Sequence, residues 1–231
     1  MNIKKIESRI EELEAKVKLF QDLEDIKRLQ RCYGFYLEHW MYEELTDCFA
    51  DRPDTELNIM VGIYKGKEGV RRYFSGEKTR SLDPEVLHQV MQLSGVVDVN
   101  ADGKTAEGRW YGFGAMALPT SKGILQNITG GIYTSQYIKE DGKWKIWKLM
   151  WNPAYSYPPS EGWVKPQRVG KITVEDLPKA PQPDKPRAVE SRYPSGYIVP
   201  FHCQHPVTGK ETSEKKHNAL LKNQRAAKIA E

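Results

Sequence analysis

From Leu87 onward the chain abandons helical spacing. Leu87–Val99, Thr105–Leu118, Ile124–Lys139 and Lys143–Trp151 are long runs rich in β-branched and aromatic residues, the side chains that pack best on a pleated surface. Asp102-Gly103 and Asp141-Gly142 stand between such runs, and Asp-Gly is the strongest short signal for a tight hairpin. Gly95, Gly112, Gly114, Gly130 and Gly131 fall inside the runs, as expected where a sheet bulges or bends sharply. Consecutive hairpins give an antiparallel meander, which excludes a parallel α/β architecture.

Before Leu87 the period is helical. Ile3, Ile6, Ile10, Leu13, Val17 and Phe20 are spaced alternately by three and four, an a/d stripe with Glu and Lys on the other faces. At under three heptads it is a helix packed either on its own domain or on another subunit. A second helical pattern follows at Leu23, Ile26, Leu29, Tyr33, Tyr36 and Leu37, and a third runs from Met41 to Phe49. Thr55–Tyr64 reads as a strand and Gly66–Phe74 as a short helix. Helices followed by a meander define an α+β fold: a cone-shaped, curled antiparallel sheet whose concave face is covered by the N-terminal helices, leaving a pocket between the layers.

Eleven of the 14 prolines lie from Pro153 onward, whereas five of the six tryptophans lie before residue 157. This divides the chain into a body, 1–157, and an extended proline-rich C-terminal tail, 158–231. The 35 basic and 31 acidic residues divide as 22 and 23 in the body and 13 and 8 in the tail. The overall charge of +4 therefore belongs to the tail, where both signs interleave. A solvated surface is expected there, not a nucleic-acid footprint. Trp163, Tyr193, Tyr197, Ile198, Val199 and Phe201 are apolar enough that the tail is expected to lie against its own or a neighbouring subunit, near the cone mouth. Ser213–Ala230 reads as a short polar helix.

The charged N-terminus is neither a signal peptide nor a membrane span. Cys32, Cys48 and Cys203 form no C-x-x-C pair, which fits a reducing, cytoplasmic setting. No dinucleotide or phosphate loop, nucleophile elbow or H-E-x-x-H occurs. His202 and His205 form an H-x-x-H without a further ligand, a weak metal signal. Neither metal nor cofactor is expected, and neither are nucleic-acid or membrane partners.

The polar groups set in apolar surroundings are then the candidates for chemistry. His88 opens a strand run, and Glu38 lies at the rim of the helix face that carries Tyr33 and Leu37. A carboxylate there is positioned to orient a histidine for general acid–base work. Asn127, Thr129 and Tyr133 share parity on one strand and so share a face.

The run Asp22 to Tyr33, Glu38, Tyr64-Lys-Gly-Lys-Glu-Gly-Val-Arg-Arg-Tyr-Phe74, Gly108-Arg-Trp-Tyr111 and Tyr137-Ile-Lys-Glu-Asp-Gly-Lys-Trp144 together resemble the SnoaL-like branch of the nuclear transport factor 2-like superfamily. The resemblance covers residues 1 to about 155 and implies a cone with its active site in the mouth. Within the branch it is similar to bile-acid dehydratases and scytalone dehydratase, which eliminate water without metal or organic cofactor. By that likeness His88 is the catalytic histidine, Glu38 the acid and Tyr33 a catalytic tyrosine. Gly114 and Pro153 stand where the bile-acid enzymes have an aspartate and an arginine, which sets their steroid substrate apart from this chain. Tyr193-Pro-Ser-Gly-Tyr-Ile-Val-Pro200 and His202 to Lys210 resemble the ending of longer members, including lyases of lignin-derived diarylpropanes. Those remove a benzylic hydroxyl and then lose formaldehyde.

The resulting expectation is a cofactor-independent lyase acting on a small aromatic or polycyclic substrate and assembled as a homo-oligomer, dimer or trimer. Tyr36, Arg71, Arg80, Trp110, Met116, Asn127, Thr129, Tyr133 and Trp151 are the expected substrate-binding residues. The alternatives are a polyketide-type cyclase or isomerase using the same dyad, and a non-catalytic binding module of the same fold.

Overall fold

A computed structural model of the chain describes residues 3–76, 86–120, 123–162, 181–187 and 197–221. In the described part of the body, helices α1 (Ile3–Glu38), α2 (Tyr42–Asp47) and α3 (Gly66–Ser75) accompany six strands in one sheet. The strands are β1 (Glu56–Ile59), β2 (Gly62–Lys65), β3 (Leu87–Val99), β4 (Thr105–Thr120), β5 (Gly123–Glu140) and β6 (Lys143–Tyr157), in the order β2-β1-β6-β5-β4-β3. β3 to β6 form the expected meander, with Asp141-Gly142 as a two-residue turn in which both residues have positive φ.

Three readings need correcting. The two N-terminal helical patterns are one helix of 36 residues, because no Gly or Pro interrupts the chain between Phe20 and Leu23 and propagation is easier than a break. Thr55–Tyr64 is a hairpin of β1 and β2 around Met60-Val61, not one strand. The sheet is also not wholly antiparallel: β1 joins β6 in parallel through Leu57 and Leu149.

The curl has a local cause. Between Leu93 and Val96 two residues of β3, Ser94 and Gly95, face the single Trp110 of β4. Ser94 takes a positive φ of 48°, and a Cβ on Gly95 would lie 2.2 Å from the Trp110 ring. This bulge bends the sheet around the indole. Further irregularities in the β5–β6 pairing, at Gly130/Gly131 and Gln136/Tyr137, continue the bend.

α1 is clamped across the concave face by buried polar groups as well as by Ile26, Tyr33 and Leu37. Gln30 accepts from the Tyr137 hydroxyl (2.7 Å) and donates to Gln92 (2.9 Å), and Tyr137 accepts from the Trp110 indole (3.0 Å). Every member of this chain is partnered, which a buried network requires. Two turns and more toward the N-terminus, the buried Asp22 meets Lys139 and the Trp144 indole N–H (2.9 Å). Burial alone raises the Asp22 carboxyl, but Lys139 and Trp144 outweigh it and hold it below its usual range. A lowered native pKa stabilises the fold at neutral pH, and that contribution is lost as pH falls below about 4. Asp22→Asn is therefore expected to cost about 1–2 kcal/mol at pH 7. It should also flatten the acid limb of the stability profile, as read by urea unfolding from pH 7 down to pH 3.

The described tail segments lie on their own sheet. Residues 181–187 run along edge strand β2: the Ile63 N–H donates to Lys185 O (2.9 Å), Asp184 pairs with Arg72 (2.7 Å), and the Tyr64 hydroxyl donates to Pro181 O (2.6 Å). Prolines suit this position, since a covered edge strand no longer offers its ladder to other chains. Residues 197–221 cross the outer face, where Arg109 donates to Val199 O (2.7 Å) and stacks over Phe201. A short helix at 214–221 carries Asn218, which exchanges hydrogen bonds with Ile198. None of the residues of these segments lines the cavity between the layers. Tyr193 and Trp163 lie outside the described residues.

Candidate active site

The site is a cavity of about 110 Å³ between the concave face and the helices. α1 contributes Tyr33 and Leu37, one helical turn apart on the buried face. The β1–β2 hairpin closes one side with Ile59, Met60 and Val61, and α3 adds Tyr73 and Phe74. The sheet supplies His88 and Val90 from β3, Met116 and Leu118 from β4, Leu125, Thr129 and Tyr133 from β5, and Trp151 from β6. Parity explains the sheet's share: β3 turns even-numbered residues inward ahead of its bulge and β5 turns odd-numbered ones.

The wall is apolar except for a few protic groups. His88 is half-buried and stands edge-on against Trp40, ring centroids 5.3 Å apart at 89°. Trp40 follows the end of α1 with a positive φ of 50° and donates its indole N–H to Phe74 O (3.0 Å), so the ring backing the imidazole is tied to α3. Tyr33 meets Phe49 edge to face at 6.0 Å, and Tyr133 leans on Trp151 at 4.5 Å. Burial, reinforced by the neighbouring tyrosines, pushes the Tyr33 hydroxyl well above its ordinary pKa, and burial does the same to Tyr133. Both phenols therefore stay protonated and act as hydrogen-bond donors, not as bases.

Of the residues expected from sequence, the structure gathers Tyr33, His88, Met116, Thr129, Tyr133 and Trp151 around one cavity. It does not bring Glu38 to the imidazole. Glu38 Oε1 accepts from Gln89 Nε2 at 3.1 Å, and Gln89 is the strand neighbour of His88, on the opposite parity. The cause is helical geometry: five residues from Tyr33, Glu38 is rotated off the face that Tyr33 and Leu37 share. Tyr36 is half-buried beside Cys32, whose proximity raises its pKa, and it is not in the lining. Arg71 pairs with Glu68 (2.6 Å) at the surface of α3. Trp110 belongs to the Gln30 network beneath the bulge. Asn127 is buried on the face of Thr129 and Tyr133 but lies outside the cavity wall. Arg80 lies outside the described residues.

Sequence reasoning missed Trp40, Tyr73, Phe74 and the Ile59–Val61 turn. Spacing gave one usable sign, the adjacent aromatics Tyr73-Phe74 at the end of α3; Trp40 occupies a left-handed position normally marked by Gly or Asn, so nothing local announced it.

The H-x-x-H of the tail does not converge on a metal. His202 Nε2 sits 3.1 Å from Asp98, while His205 Nδ1 accepts from the Val207 and Thr208 N–H groups. Among the described residues the one grouping with metal-ligand chemistry is Asp98, His202 and Cys203, with donor atoms within 4.8 Å of one another. It lies where the tail docks on the outer face, away from the cavity.

A curled sheet wrapped around a buried helix, with an apolar cavity between them, is the architecture of the cone-shaped small-molecule-binding domains. The chain belongs to the SnoaL-like family, whose domain model matches residues 19–150. Solved structures of similar fold include a scytalone dehydratase-like protein from Novosphingobium aromaticivorans DSM 12444. Its TM-score is 0.51 at 16% identity, over 65% of this chain and 96% of that one. An NTF2-like protein with a cystatin-like fold, also from Novosphingobium aromaticivorans, gives a TM-score of 0.47 at 19% identity, over 60% and 86%. The hexachlorocyclohexane dehydrochlorinase LinA-type3 from Novosphingobium barchaimii LL02 gives 0.48 at 20% identity, over 65% and 99%. At these identities the likeness is one of fold. No helix among the described residues is long and apolar enough to cross a membrane.

Proposed function

We propose that the cavity catalyses elimination of water from a hydroxylated aromatic compound, with lignin-derived diarylpropanes as the substrate class and neither metal nor organic cofactor required. One observation carries the reading. Among the described residues His88 is the only imidazole or carboxyl side chain that lines the cavity, the side-chain types best suited to general acid–base work, and it shares a largely apolar wall with the phenols Tyr33 and Tyr133.

In this mechanism His88 takes the phenolic proton of the substrate as the benzylic C–O bond breaks, and the leaving hydroxyl departs as water on receiving that proton. Tyr33 donates a hydrogen bond to the leaving oxygen. The electron pair of the phenolate enters the ring and gives a quinone methide. Deprotonation of the neighbouring hydroxymethyl group then breaks a carbon–carbon bond and releases formaldehyde, and the electrons return to the ring oxygen, which is reprotonated. Each general acid–base contribution is worth roughly 10²–10⁴-fold, and the dry apolar wall strengthens the polar contacts inside it.

The cavity of about 110 Å³ is of the same order as the roughly 150 Å³ cavity that takes up benzene, a size that supports a single aromatic ring as the reacting group. In this reading the reacting ring sits inside and the second ring of a diarylpropane extends beyond the cavity. We also place the chain in a homo-oligomer, a reading supported by the apolar side chains Met91, Leu93, Tyr111 and Phe113 left exposed on the outer face of β3 and β4. The engagement of Glu38 by Gln89 favours a second reading, a binding module without chemistry.

Mass spectrometry of purified protein incubated with hydroxylated aromatic dimers and steroid derivatives, with formaldehyde detection, tests both. Loss of the mass of water with release of formaldehyde is the expected result. An isomer of unchanged mass means cyclase or isomerase chemistry, and bound but unaltered compound means a binding module; either overturns the elimination.

A further inference from the structure

The first five turns of α1 stand clear of the domain. Asp22 is buried, yet from Ile3 to Gln21 every residue is exposed except the half-buried Ile6. The stripe is as open as the polar faces: Ile3 is 70% exposed, Val17 63% and Phe20 67%. An arm of about 27 Å is marginal as an isolated helix in water. An apolar seam along it, uncovered by any described residue, calls for a partner.

The seam specifies which partner. In heptad terms Ile3, Ile10 and Val17 occupy a, and Ile6, Leu13 and Phe20 occupy d. The flanking e positions are then Glu7 and Glu14, and the g positions Arg9 and Lys16. In a parallel pair each g faces the e of the partner's next heptad. Arg9 meets Glu14 of the partner subunit, twice by symmetry, and Lys16 meets the neutral Gln21 of the partner subunit. In an antiparallel pair of the same chains g faces g and e faces e, so Arg9 opposes Lys16 and Glu7 opposes Glu14, every flanking contact a repulsion. β-branched residues at all three a positions with Leu13 at the central d favour two strands, while Ile6 at the first d works against that preference. We infer that residues 3–20 form a parallel two-stranded coiled coil with a second copy of this chain. The coil is short, so association depends on protein concentration.

The full-length protein tests this through cysteine cross-linking and charge exchange. In a parallel pair equivalent a residues face one another, so Ile10→Cys should give a disulfide-linked dimer under mild oxidation. Glu11→Cys, one position round the helix, and the unmodified chain with its three cysteines should not. Sedimentation should show a reversible dimer whose dissociation constant rises roughly 10-fold in Arg9→Glu/Lys16→Glu. Mixing that variant with Glu7→Lys/Glu14→Lys should restore tight association as a heterodimer, a rescue that no folding defect would produce. The inference is overturned if Ile10→Cys does not cross-link, if Glu11→Cys cross-links equally, or if sedimentation gives a monomer or three copies. It is equally overturned if the charge variants leave association unchanged.

Discussion

Replacement of His88 by alanine is expected to abolish turnover while the protein keeps its fold. The imidazole reaches the cavity from β3 and is the only imidazole or carboxyl among the described residues that line it, so its removal leaves Tyr33 and Tyr133, both held protonated by burial, without that base to work beside. The loss expected for a general acid–base residue is roughly 10²–10⁴-fold in kcat. The cost in stability is small, because His88 is only half-buried and alanine is accommodated on a strand. Initial rates with the substrate identified by product analysis, beside circular dichroism and thermal melting, separate the two effects. Activity at the unmodified level in folded His88→Ala means that the chemistry lies elsewhere.

The second large effect is structural. Gly114 pairs with Val90 across β3 and β4, and a Cβ built there would lie 1.6 Å from the Gln89 carbonyl oxygen. The neighbour is backbone and cannot swing aside, so Gly114→Ala must push the two strands apart. The expected cost is about 3 kcal/mol, at the upper end for overpacking, or a fall in Tm of roughly 6–12 °C for a chain of this size. Because the same strands carry His88 and Met116, activity should fall with stability. A melting curve coincident with that of the parent protein contradicts the packing described. There is no room for a side chain at Gly114.

Much of this architecture was legible before any coordinates. β-branched runs and Asp-Gly pairs located β3, β4 and β5 to within two residues and the start of β6, which runs on past the expected Trp151 to Tyr157, because hairpins and half-buried strands are encoded locally. Tyr33 and Leu37 were placed on the buried face by four-residue spacing, and Thr129 and Tyr133 on the cavity side by parity. What escaped lacked a local signal or was non-local. Met60-Val61 is not a turn dipeptide, so the β1–β2 hairpin left no mark, and the parallel pairing of β1 with β6 joins segments some ninety residues apart. Glu38 was assigned to His88 by resemblance, yet a single step along α1 from Leu37 turned its carboxylate toward Gln89. The stripe from Ile3 to Phe20 was read correctly as apolar; only its exposure in the fold distinguishes a helix packed at home from one awaiting a partner.

The account stands on a small aromatic ring sitting against His88, and that contact can be observed without knowing the natural substrate. With the histidines labelled with ¹⁵N in the imidazole ring, His88 can be assigned among the five by its loss in His88→Ala. Titration with a one-ring phenol is expected to shift the His88 ring resonances in a saturable way while those of His202 and His205, out on the tail, stay in place. A phenol that binds and leaves His88 untouched, or that shifts the tail histidines instead, contradicts the assignment of this cavity as the active site.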